Sequence, residues 1–67
     1  MNEIDVLEAG IRRTEQRLAE YEEKYGIDTH EFIHRFETNK FDETLDFIEW
    51  IGEYRMLQAL QEERRAV

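Results

Sequence analysis

Ile4, Leu7, Ile11, Thr14, Leu18, Tyr21 and Tyr25 recur at alternating spacings of three and four. Such a run is a heptad seam, with its a and d positions mostly apolar on one side of a helix. A helix cannot bury a seam against itself, so either another segment of the chain or a second copy must cover it. Asn2 has the side chain to cap the start, and Gly26 can take the left-handed conformation that ends a helix. Ile27 just beyond is placed to fold back onto Tyr21. The spacing predicts a helix over residues 3–25.

Helix punctuation divides the remainder. There is no proline, glycine occurs only three times, and strong helix formers dominate. Asp28 and Glu31 have the spacing of a capping box, and Ile27 and Phe32 that of a hydrophobic staple. They predict a short helix over 29–38 with Phe32, Ile33 and Phe36 buried. "TNK", residues 38–40, ends it, with Asn39 as the left-handed residue. A third helix starts near Asp42 and spans about 43–65, with Phe47, Trp50, Ile51, Tyr54 and Leu57 on one broad face. Arg64 and Arg65 suit the negative end of its dipole. The expected fold class is all-α: one helical domain over 1–67, long helix, short helix, long helix, assembled as a homo-oligomer. Gly52, inside the third helix, costs about 1 kcal/mol against alanine, which predicts a close helix crossing there.

Size and charge narrow the function. A chain of 67 residues is near the length where one core gives marginal stability. It has no cysteine, hence no disulfide and no thiolate metal site. The acidic start "MNEIDVLEAG" does not resemble a signal peptide, and no apolar run approaches a membrane span. A cytoplasmic protein is expected. Seventeen acids against nine bases give a net charge of −8. Such a polyanion repels phosphate backbones and anionic lipid, which argues against direct nucleic-acid or membrane binding and for a basic protein partner.

"HEFIH", residues 30–34, matches the His-Glu-x-x-His pattern of zinc peptidases, which raises a remote alternative of a zinc hydrolase. Three points oppose it. Glu31, the would-be general base, is better used in the capping box. His30 lies in the first turn of its helix, where the positive dipole end disfavours a cation. A third ligand and a substrate cleft are also required, and three helices offer little concave surface. Glutamate makes up about a fifth of the chain, so the match needs no function to explain it. There is no serine or cysteine nucleophile and no glycine-rich phosphate loop. The expectation is no enzyme, no metal and no cofactor.

Two surfaces survive this weighing. Ile4, Leu7, Ile11, Leu18 and Tyr21 form a candidate self-association seam. Glu8, Glu15 and Glu22 lie at its e positions and Arg17 and Lys24 at g, so a parallel pair would set Arg17 against Glu22 of the other copy. The same seam fits equally well against the third helix of its own chain. The second surface is a line of acids, Asp42, Asp46, Glu49 and Glu53, which continues into Met56 and Leu60. It points away from the aromatic face and reads as a candidate binding surface for a basic partner. A solvated face is the competing reading.

The stretch "YEEKYGIDTHEFIHRFETNKFDETLDFIEWIGEYRML", residues 21–57, resembles short prokaryotic helical proteins described as antitoxins of toxin–antitoxin pairs. The likeness rests on Lys24-Tyr25-Gly26 as a helix stop, a short helix ending in Phe and a polar turn, and "DFIEW" from Asp46 to Trp50. It implies an antitoxin-like neutraliser that occludes a basic, ribonuclease-type toxin. No DNA-binding ribbon or helix-turn-helix accompanies it. The alternative is a structural homo-oligomerisation module with no separate partner.

Overall fold

A computed structural model describes residues 2–39 and 42–67, and all of its regular structure is helical. The order is α1 (Glu3–Tyr25), α2 (Thr29–Asn39) and α3 (Leu45–Ala66), the long-short-long pattern expected. Asn2 caps α1 by accepting from the Asp5 amide at 2.9 Å. Gly26 ends it with φ 68° and donates to the Glu22 carbonyl. Asp28 caps α2, accepting from the Glu31 amide at 3.0 Å. The Glu31 carboxylate meanwhile accepts from Arg35 at 2.9 Å, one turn on. The predicted stop of α2 falls partly on Lys40, outside the described residues, and Asn39 is itself still helical.

α3 starts two to three residues later than expected. Thr44, in extended conformation, caps it by accepting from the Phe47 amide, and threonine is a strong capping residue. Asp42 therefore precedes the helix, and its carbonyl accepts from the Thr44 amide.

α1 and α3 run antiparallel. Glu8 meets Arg64 and Gly10 meets Leu60 at one end, while Tyr21 meets Glu49 and Lys24 meets Asp46 at the other. Leu7, Thr14, Leu18 and Tyr21 of the seam are buried. α2 packs over the end nearest the α1–α2 turn. Trp50 is fully buried there, stacked on Phe32 with centroids 3.8 Å apart and on Tyr21 at 5.5 Å. Thr29 binds this end together, donating its amide to Glu22 at 2.7 Å and accepting the Trp50 indole N–H at 3.0 Å. The opposite end is only two helices thick. Accordingly the Cα radius of gyration is 13.2 Å, against about 11 Å for a compact chain of this length.

Candidate functional site, the outer face of α3

The acidic line does not point away from the molecule. Asp46 accepts from Lys24 Nζ at 2.6 Å and from the Tyr25 hydroxyl. Those two hydrogen bonds, Lys24 first, hold the Asp46 carboxyl below the usual aspartate range. The same carboxylate raises Lys24 and Tyr25. Glu49 accepts from the Tyr21 hydroxyl at 2.8 Å and lies 3.7 Å from Arg17. Burial, then the Glu49 bond, pushes the Tyr21 phenol up. Glu53 is half-buried, and its Oε2 is buried without a protein donor. Leu60 packs at Gly10. Of the proposed partner residues, Asp42 lies off the helix, Glu49 keeps a half-exposed side chain, and Met56 remains 53% exposed.

The displacement has a simple cause. α3 has two neighbours: its aromatics pack between α2 and the tyrosine rings of α1, while the acids beside them meet the cations and tyrosine hydroxyls of α1. Arg17 and Lys24, at the g positions that a parallel pair would turn toward a second copy, reach across their own chain instead. Arg17 pairs with Glu20 and Glu49, and Glu22 is taken by the Thr29 amide. Leu7, Leu18 and Tyr21 of the self-association seam are covered in-chain, Ile11 is half-buried, and only Ile4 is exposed, at 43%.

One strip of the exposed surface of α3 is apolar. Leu45 is 72% and Ile48 51% exposed, and Gly52, Met56 and Ala59 are exposed with them. The spacings of three, four, four and three put all five on one side of the helix, opposite Trp50. Beside this ridge an open groove of about 540 Å³ runs between α2 and α3, lined by Ile33, Phe36, Ile51, Tyr54 and Arg55 among others. The predicted close crossing at Gly52 is not made within the chain: a Cβ built there meets nothing within 4 Å. The close approach is at Gly10, where a Cβ would lie 3.2 Å from Leu60 Cδ1. Leu45 and Ile48 are not among the residues expected on this surface, although their spacing to Gly52, Met56 and Ala59 carries the signal.

His30 and His34 are both exposed on α2, and His30 stands edge-on to Tyr54 with centroids 5.7 Å apart. The Glu31 carboxylate is engaged by Arg35. Among the described residues, no three His, Cys, Asp or Glu side chains gather where they could hold a metal, and no helix is long and apolar enough to cross a membrane. Comparison of the chain with protein-family models, curated proteins and solved structures yields no match.

Proposed function

We propose that this chain is a non-enzymatic protein-interaction module, with the outer face of α3 as its main contact surface. The observation that carries this reading is the exposed line of Leu45, Ile48 and Met56. Large apolar side chains aligned on one helix face of a soluble chain mark an interaction site more often than scattered ones do. The in-chain use of Asp46 and Glu49 adds to it, since those acids hold α3 with that face turned outward.

An antitoxin-like neutraliser of a basic protein is the form we favour for the partner. The net charge of −8 supports it, and Glu15, Glu23 and Asp42 remain exposed to steer a cationic surface. A cytoplasmic setting fits a chain that has no cysteine. The homo-oligomerisation reading is favoured by a separate observation, the thin two-helix end and large surface of the single chain. Affinity capture from the native host, with Ile48→Asp alongside, separates the two. A stoichiometric basic protein, held by the exposed acids and released by salt, is expected for the neutraliser, while copies held only by the apolar face are lost with Ile48→Asp. Retention of only further copies of the chain would instead make the oligomerisation module the answer.

A further inference from the structure

We propose that the outer face of α3 docks on the same face of a second copy, with the two helices crossing antiparallel at Gly52. This inference deepens the interaction-module reading and rests on it. The positions on the ridge are symmetric about the glycine: Ile48 and Met56 lie four residues to either side, and Leu45 and Ala59 seven. A two-fold antiparallel contact therefore sets Ile48 against Met56 of the second copy, Leu45 against its Ala59, and Gly52 against its own counterpart. Positions four and seven residues to either side share one face on any helix, so the information lies in the residue types. All of them are uncharged, and every layer of a two-fold antiparallel contact would pair apolar with apolar, as a self-complementary surface requires.

Gly52 supplies the second observation. Glycine weakens a helix interior, and the usual compensation is the close approach of another backbone. Among the described residues, no atom outside its own stretch of helix lies within 4 Å of where its Cβ would be. The compensating helix must come from outside the chain, and the bare backbone sits at the centre of the symmetric ridge.

Area supplies the third. The chain exposes 5070 Å², whereas a compact monomer of its mass exposes about 4500 Å². The difference of roughly 500–600 Å² approaches the ~800 Å² that each partner commonly gives to a stable interface. Charge then gives the contact a signature. The five ridge positions carry no charge, but each copy carries −8. Added salt must therefore strengthen the contact by screening repulsion between copies, while it weakens binding of a basic partner.

The test uses the purified full chain. Light scattering from micromolar to millimolar concentration should show a dimer whose share grows with concentration and with salt. Gly52→Gln places a good helix former in open space, so helix content should hold while self-association weakens about tenfold or more. Ile48→Asp should have the same effect through the neighbouring layer. Because the chain has no cysteine, orientation can be read from Leu45→Cys mixed with Ala59→Cys under oxidation. The expected product is the mixed disulfide, and a predominance of the Leu45→Cys homodisulfide would overturn the antiparallel crossing. A monomer at every concentration, or a dimer indifferent to both Gly52→Gln and Ile48→Asp, would overturn the proposal outright. If that monomer still captured a basic protein, the interaction-module reading would survive, and loss of both would end it too.

Discussion

Trp50 has no exposed surface and a single polar atom, the indole N–H, so the fate of that proton decides how well the aromatic cluster can pack. It is donated to Thr29 Oγ1 at 3.0 Å, on a side chain that is itself buried. Thr29→Val keeps the shape and removes the acceptor. An unsatisfied buried donor costs roughly 1–3 kcal/mol, so the variant should melt several degrees lower, with Trp50 fluorescence following the same transition. Glu53 is the converse case. Its buried Oε2 lacks a protein donor, so Glu53→Leu should leave stability unchanged or raise it by up to about 1 kcal/mol, as read from urea midpoints.

At the level of the helices, the caps assign the boundaries and so supply the check on them. Thr44→Ala should cost about 1 kcal/mol through the lost cap, whereas Asp42→Ala, outside the helix, should stay within about 0.5 kcal/mol. Equal effects would restore the earlier start at Asp42. All three helices were legible in the sequence because their signals are local: Asn2, Gly26 and Asp28 act on neighbours within a turn. The face that each helix turns inward was only half legible. The aromatic arc of α3 identified the side toward α2, but Asp46 and Glu49 are paired across 22 and 28 residues with Lys24 and Tyr21. No spacing within α3 encodes that pairing. Acids beside an aromatic face look solvated until the cations of another helix are seen opposite them. The close approach expected at Gly52 is made at Gly10 for the same reason, since which glycine is crowded depends on the neighbouring helix.

Across the whole molecule, Asp46 links stability to pH. Its folded pKa lies below its unfolded one, first through Lys24 and then through Tyr25. Its contribution is therefore present at neutral pH and lost as pH falls from about 4, through the unfolded and then the folded value. Lys24 and Tyr25 are shifted upward; their share is complete below their unfolded pKa values and fades as pH rises through the folded ones. Urea midpoints measured from acid to alkaline pH should thus form a plateau with two falling limbs. Asp46→Asn should flatten the acid limb, and an unchanged acid limb would show that other carboxylates govern it.

The two ends of the hairpin also differ in how far apart along the chain their contacts lie. Trp50 is joined to Thr29 across 21 residues, whereas Glu8 and Arg64 are 56 apart. Closing the shorter loop costs less entropy, so the aromatic end should form first during folding and the rest should zip outward toward the termini. In a mutational analysis of folding rates, changes at Phe32 and Trp50 should slow folding, while changes at Leu7 and Leu60 should mainly speed unfolding. Amide exchange should show the same polarity, with the slowest protons around Trp50 and the fastest in the first turn of α1 and the last of α3. The end that closes last is then the end that opens first, which makes the paired termini the point of entry for a protease.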